Sequence, residues 1–287
     1  MIDGTSPFLG NEAVARGELS AWELRRHYRA VYRNVYMSKS SVLTAALRAR
    51  AAWLWCGGEA TMIGRSAAAL HGTKWIDAGS AAELCRLDRR HPRGIRVHTY
   101  ALPTEDVCWI DDIRVTTPER TAFDIGRLHL PDNSIPVLDA LARATKIKPA
   151  DVAALADDRR GVNGRRRLRA ALNLVDGGAE SPQESRLRLL LVRANLPRPE
   201  TQICFYDEFG DVRIRVDMGW PEWKVGVEYD GEQHWTDAQQ RAWDIERLVI
   251  AESEKWSIVR VSSALMARPH VVVDRVATKL REAGWRG

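Results

Sequence analysis

The chain has 287 residues, 45% of them hydrophobic and 28% charged, which is enough apolar material for about two ordinary domains and too much for a disordered or fibrous protein. No charge-free stretch approaches the 18 or so apolar residues of a membrane span, and the opening MIDGTSPFLG lacks the basic and apolar regions of a secretory signal. No membrane association is expected. Cys56, Cys85, Cys108 and Cys204 lie far apart and form no CxxC, which disfavours a structural zinc or a disulfide framework and makes the reducing cytoplasm the expected compartment.

The net charge of +5 is unevenly spread. Residues 176–287 carry 16 Lys and Arg against 19 Asp and Glu, a balance of −3, whereas residues 1–175 carry 27 against 19, a balance of +8. Such a skew is the footprint of nucleic-acid contact, because each neutralised phosphate releases counterions, and it is also what a plain solubility device gives.

Ser20-Ala-Trp-Glu23 is a capping box and predicts a short helix carrying Arg25, Arg26 and Arg29. AVYRNVYM, which includes Arg33, follows and reads as a strand by its Val and Tyr content. A short basic helix followed by a β-ribbon is the layout of a winged helix-turn-helix, and it is equally that of a solvated basic helix. Residues 41–72 read as helical, with Ser41 as cap, Leu43, Leu47 and Leu54 at helical spacing, a stop at Gly57-Gly58, and a second short helix in RSAAALHG. IRVHTY (95–100) and DIRVTT (112–117) read as strands. Thr117-Pro118 opens a helix, and further helices are expected around 134–145, 149–157 and 163–175, the last preceded by RRGVNGRRRLR, whose arginines either track phosphate or cover a solvated helix end.

Asp176-Gly177-Gly178 is the clearest linker and coincides with the change of charge sign, so the main boundary is placed there. The expected organisation is 1–40, 41–175 and 176–287. Beyond the linker, Ser181-Pro182 starts a helix through about Asn195, strands follow near 201–206, 212–218 and 224–230, a long helix runs from Thr236 to about Glu254, 256–263 is a strand and Pro269 opens a final helix. Residues 176–287 therefore read as an α/β fold.

Alternation along the expected hairpin places side chains. In Arg213–Met218 the apolar side is Ile214, Val216 and Met218, so Asp217 points the other way; in Lys224–Asp230 the apolar side is Val225, Val227 and Tyr229, so Glu228 and Asp230 share the opposite face. A turn at Pro221-Glu222-Trp223 brings Asp217 near Glu228. Crowded carboxylates raise one another's pKa unless a cation intervenes, and an all-oxygen cluster suits Mg²⁺ or Mn²⁺ rather than zinc. Glu184 lies on the same helical face as Leu187, Leu190, Leu191 and Ala194, where a carboxylate is either paired, metal-bound or a partly exposed complement to the helix dipole. His234 follows Asp230-Gly231, and beside such a site it is either a polar loop residue or a proton carrier.

In order, Glu184, Arg215-Val-Asp217, Val227-Glu-Tyr-Asp-Gly-Glu-Gln-His234, Asp244-Ile-Glu-Arg247-Leu248 and Trp256-Ser-Ile-Val-Arg260-Val261 resemble relatives of very-short-patch-repair endonucleases, within the PD-(D/E)XK nuclease superfamily. The resemblance covers about 180–285. It implies a restriction-endonuclease-like mixed sheet flanked by helices, with Asp217, Glu228 and Glu184 as metal ligands; a lysine usual at position 230 is here Asp230. The basic Arg25–Met37 segment, Arg65-Ser-Ala-Ala-Ala-Leu-His-Gly72 and Val115-Thr-Thr-Pro-Glu-Arg-Thr-Ala-Phe-Asp124 resemble the AbiEi-type antitoxins of type IV toxin–antitoxin systems over about 5–175. That resemblance implies a DNA-binding start with a winged helix, an α+β and helical middle region, and a cognate toxin as partner.

The expectation is a multi-domain α/β protein acting as a cytoplasmic Mg²⁺- or Mn²⁺-dependent DNA endonuclease in repair or phage defence, on duplex, damaged or branched DNA. Glu184, Asp217, Glu228, Asp230 and His234 are its catalytic candidates and Arg25, Arg26, Arg29 and Arg33 its DNA contacts. The alternatives are an antitoxin-like DNA-binding regulator with an inactive nuclease fold, and an RNA-directed nuclease, since phosphodiester chemistry does not read the sugar.

Overall fold

Ser20 accepts a hydrogen bond from Glu23 N at 3.1 Å while Glu23 accepts from Ser20 N at 2.7 Å, and this capping box starts α2 (Ala21–His27), after β1 (Phe8–Leu9) and α1 (Gly10–Ala15). The computed structural model describes residues 4–159, 161–231, 247 and 249–287. The Val- and Tyr-rich run expected as one strand is a hairpin, β2 (Tyr28–Tyr32) and β3 (Val35–Ser38), because the chain turns at Arg33-Asn34, with Asn34 at a left-handed φ of 63° that asparagine tolerates. Together these elements form a winged helix-turn-helix layout, with an antiparallel sheet ordered β1-β3-β2. Lys39 Nζ, just past β3, donates to the carbonyls of Arg25 and Arg26 at 3.0 and 2.9 Å, closing the C-terminal end of α2.

The chain divides into two units, Met1–Val175 and Asp176–Gly287. In the first, Tyr32 and Val35 of the hairpin enter the same apolar core as Ala49, Met62, Leu84 and Ile113, and the Tyr32 hydroxyl donates to the Gly94 carbonyl at 2.9 Å. The wing and the residues that follow it share one interior. The cap of α3 (Ala45–Trp55) is Thr44 rather than Ser41, its Oγ1 accepting from Leu47 N at 3.2 Å. Between α3 and α4 (Gly64–Leu70) runs β4 (Thr61–Met62), where the sequence suggests continuous helix and turn. The five-stranded mixed sheet is ordered β6-β5-β4-β8-β7, with β5 (Ala82–Cys85), β6 (Ile95–His98), β7 (Val107–Ile110) and β8 (Ile113–Thr116). Helices α5 (Pro118–Leu128), α6 (Pro131–Thr145), α7 (Pro149–Asp158) and α8 (Arg165–Leu172) complete the unit.

The Thr-Thr-Pro-Glu-Arg segment opens α5: Thr117 caps it by accepting from Arg120 N, and Pro118 fills the first turn. Arg120 and Asp124 sit one turn apart with Asp106 against the same guanidinium, all three buried. Arg127 and the Tyr100 hydroxyl add contacts to Asp124 at 2.7 and 3.2 Å, and Arg159 reaches Asp106 at 2.8 Å. Three of the four arginines of α8 are also engaged within the fold. Arg165 and Arg169 pair with Asp157 at 3.2 and 2.6 Å, and Arg167 donates to the carbonyls of Arg127 and Leu128.

In the second unit α9 (Pro182–Arg193) is followed by β9 (Glu200–Tyr206), β10 (Val212–Trp220) and β11 (Val225–Asp230), then β12 (Ser257–Ser262), a short helix Ser263–Met266 and the helix Pro269–Glu282. The sheet is ordered β12-β11-β10-β9, antiparallel except for the parallel pair β11 and β12. Most of the helix expected over 236–254 lies outside the described residues; 249–253 are helical. Leu187 and Leu191 of α9 meet Val225, Val227, Val261, Val272 and Val276 in one core. Ile250 and Ala251 pack on Phe205, Ile214 and Val216 in another. The architecture is α/β and multi-domain, and no helix among the described residues is long and apolar enough to cross a membrane.

Candidate functional site

The hairpin of β10 and β11 turns at Pro221–Lys224, with Trp223 N donating to the Trp220 carbonyl at 3.1 Å and Lys224 in the left-handed region at φ 51°. That turn sets the register Met218↔Val227, Gly219↔Gly226 and Trp220↔Val225. The pairing ends at Met218, and Asp217 and Glu228 beyond it line one cavity. There a side chain replaces the ladder, since Tyr229 N–H donates to Asp217 Oδ2 at 2.7 Å.

On its other flank β11 pairs with β12, where Glu228 stands opposite Arg260. Asp217, Glu228, Tyr229, Asp230, Arg247 and Arg260 line one cavity of about 70 Å³. Arg247 Nη2 donates to Glu228 Oε1 at 2.6 Å and to the Arg215 carbonyl at 2.9 Å, and Arg260 Nε lies 3.6 Å from Glu228 Oε2. Burial, with the neighbouring charge of Glu228, pushes the Asp217 carboxyl up to about 6, although the Tyr229 amide and Arg247 oppose the rise.

Glu184 is buried, as its place on the Leu187 face implies, and burial raises its pKa with a contribution from the charge of Asp217. Its carboxylate is engaged away from the cavity lining: Oε2 accepts from Glu180 N at 2.9 Å and from Gln202 Nε2 at 3.2 Å. His234 lies outside the described residues. Arg247 and Arg260 fall within the motifs quoted for the nuclease resemblance, but sequence reasoning assigns them no place in the site. Arg260 is legible in principle, because it alternates with the apolar Val259 and Val261 and so joins the face of Glu228 once β11 and β12 pair in parallel.

Among the described residues no three His, Cys, Asp or Glu side chains gather tightly enough to hold a metal ion by themselves. The donor set at the cavity is two buried or half-buried carboxylates, Asp217 and Glu228, with Asp230 on the same wall. Two hard oxygen donors with the remaining positions left to water and phosphate is the usual manner of Mg²⁺ binding, so the residues fit that ion.

In the first unit Arg25 and Arg26 are exposed on α2, and the Arg26 guanidinium stacks 4.9 Å over the ring of Trp22. Arg33 is exposed at the tip of the hairpin. Arg29 is placed differently: its Nη2 donates to the Ser41 carbonyl at 2.6 Å and ties the strand to the segment that leads into α3.

Residues 44–174 match the family model of the AbiEi antitoxin C-terminal domain. This AbiEi-like segment holds the five-stranded sheet, the buried Arg120 cluster and helices α3 to α8. Two uncharacterized proteins of Mycobacterium tuberculosis, MT2308 and Rv2248, from two strains, are each 27% identical to the chain over 262 residues, covering 90% of it and 94% of the relative. The likeness therefore runs through the AbiEi-like segment into the second unit. No solved structure matches.

Proposed function

We propose that the chain is a DNA-processing phosphodiesterase, with the winged-helix region binding duplex DNA and the second unit hydrolysing a phosphodiester with Mg²⁺ or Mn²⁺. The observation that carries this reading is the convergence of Asp217, Glu228 and Asp230 on one small cavity, where burial pushes the Asp217 carboxyl up to about 6. Asp217 and Glu228 would hold the cation, which when bound supplies Lewis-acid polarisation of the phosphate and activation of water. Asp230 is the candidate for orienting the attacking water and His234 for protonating the leaving oxygen.

A second reading has its own support. The AbiEi antitoxin match over 44–174, together with two guanidinium groups that already face Glu228, favours a DNA-binding antitoxin-like regulator with a cognate toxin, its second unit serving as a scaffold. Incubation of the full chain with supercoiled, nicked, mismatched and single-stranded DNA and with RNA, in Mg²⁺ or Mn²⁺, decides between the two. Cleavage that disappears in Asp217→Ala supports the enzyme. No cleavage of any form, with tight binding to one promoter sequence, supports the regulator.

A further inference from the structure

Trp22 is the largest side chain of α2, and 56% of it is open to solvent. The core beneath the helix forms without it, from Ala13, Leu19 and Leu24 with Phe8, Val14, Tyr28 and Tyr36 packed around them. At about 100° per residue Leu24 and Trp22 fall on opposite sides of the helix, while Arg25 and Arg26, both exposed, stand three and four places after Trp22 on its own face. The ring is braced rather than loose. The Arg26 guanidinium lies 4.9 Å over it, and His27 meets it edge-on with centroids 6.2 Å apart and planes at 82°. The carboxylates nearest in sequence are engaged away from this face: Glu23 Oε2 accepts from Ser20 N and Ser20 Oγ, both at 2.7 Å, and Glu12 and Glu18 pair with Arg16 at 3.2 and 2.8 Å. What α2 turns outward is one apolar plate between two cations. A helix that needed only solubility would have no use for the plate.

We infer that Trp22 reads a thymine: with α2 in the major groove of duplex DNA, the indole packs on the thymine methyl group while Arg25 and Arg26 neutralise neighbouring phosphates. Charge complementarity selects the occupant, since the arginines of this face meet a polyanion and the unit that carries them has a balance of +8. The plate selects the base. An indole has a single donor and no acceptor, so it cannot follow the hydrogen-bonding pattern of a base edge; what it distinguishes is apolar surface, and thymine is the base that carries a methyl group in the major groove. Because Arg26 and His27 fix the ring beforehand, little side-chain freedom is lost on contact. The inference rests on the winged-helix region binding duplex DNA, which both proposed functions share, and adds a base preference to it.

The test starts from the duplex that the full chain enriches most from a random-sequence pool, in chelator so that no strand is cut. That duplex is then made with uracil in place of each thymine in turn, which removes the methyl group and leaves the hydrogen-bonding edge unchanged. Anisotropy titrations should find at least one thymine whose replacement weakens wild-type binding by about three- to fivefold, the effect of one apolar carbon left in water. Trp22→Ala should bind the thymine and uracil forms equally. It should keep the wild-type melting temperature, because the ring lies outside the core, and the wild-type salt dependence, because no charge is removed. Trp22→Phe should recover part of the preference. The same thymine preference in Trp22→Ala as in wild type, or no thymine whose replacement weakens the wild type, overturns the role of Trp22 and leaves duplex binding standing. Binding to the pool without enrichment of any sequence overturns it in the same way. A chain that does not bind the pool removes both the base preference and the DNA-binding reading beneath it.

Discussion

Arg120 Nε donates to Asp124 Oδ2 at 2.8 Å one turn along α5, with 7% and 1% of the two side chains exposed. The same guanidinium contacts Asp106, so one buried cation holds two buried anions from different parts of the chain. Arg127 and Arg159 remain on Asp124 and Asp106, so Arg120→Leu leaves each buried anion with one guanidinium in place of two and should destabilise the first unit by about 1–3 kcal/mol. Urea unfolding of the full chain, followed by far-ultraviolet circular dichroism, reads this directly. A cost under about 1 kcal/mol for Arg120→Leu would show that the cluster is not what holds this segment.

Asp217 gives a pH prediction whose sign follows from its raised pKa. The folded state binds this proton more tightly than the unfolded chain, so the contribution of Asp217 is most favourable below the ordinary carboxylate range, declines as pH rises toward about 6 and is lowest above that. Asp217→Asn, whose side-chain oxygen can still accept from Tyr229 N, should therefore stabilise the metal-free protein by about 1–3 kcal/mol at pH 8 and by little at pH 4. Melting temperatures of the two proteins in chelator across pH 4–8 test it. Parallel curves would place the Asp217 carboxylate beside compensating charge throughout.

Metal should reverse that ranking. An ion that binds only the folded state stabilises it by about 2.7 kcal/mol at a concentration of 100 Kd. Millimolar Mn²⁺ should raise the melting temperature of wild type and leave Asp217→Ala unmoved. Glu184 stands outside this comparison, since its Oε2 already accepts from Glu180 N and Gln202; Glu184→Gln should keep most of the Mn²⁺ shift.

The winged-helix arginines should separate by role. Arg25, Arg26 and Arg33 are exposed, and Arg33 occupies the hairpin tip. Replacing each by Gln should weaken duplex binding across all sequences and lower the salt dependence by about one released counterion for each phosphate no longer neutralised. Arg29→Gln should act mainly on stability, by about 0.5–1.5 kcal/mol, because its hydrogen bond goes to the Ser41 carbonyl. Anisotropy titrations at several salt concentrations, with melting curves of the same variants, distinguish the two effects.

Part of the second unit is legible in the sequence through strand alternation and one turn. Val225 and Val227 fix which way Glu228 points, and Pro221-Glu222-Trp223 fixes where the hairpin bends. The alternation expected through Asp217 does not hold, because Ile214 and Val216 pack in one core and Met218 in the other; Asp217 reaches β11 through its hydrogen bond from Tyr229 N. What decides their electrostatics is not legible, because Arg247 and Arg260 arrive from elements distant in sequence and only the parallel register of β12 brings Arg260 to Glu228. In the first unit β4 is only two residues long and β5 carries Glu83 inside a buried run, so neither shows a clean period of two. Glu83 is accommodated because its carboxylate accepts from Arg65 N at 2.7 Å, a hydrogen bond that 18 residues of separation hide. The Arg33-Asn34 turn escapes notice because the residues on both sides are strand formers and asparagine is a weaker mark of a turn than glycine.

Lys39 has a consequence beyond closing a helix end. Because it grips two carbonyls of α2 from the turn directly after β3, the wing cannot hinge away from the helix without breaking both hydrogen bonds. Arg25 and Arg26 on the helix and Arg33 at the wing tip therefore keep a fixed spacing before any partner arrives. A duplex that fits this spacing binds without ordering the protein first, so its association should be fast, whereas a duplex of different groove width gains little from the same charges.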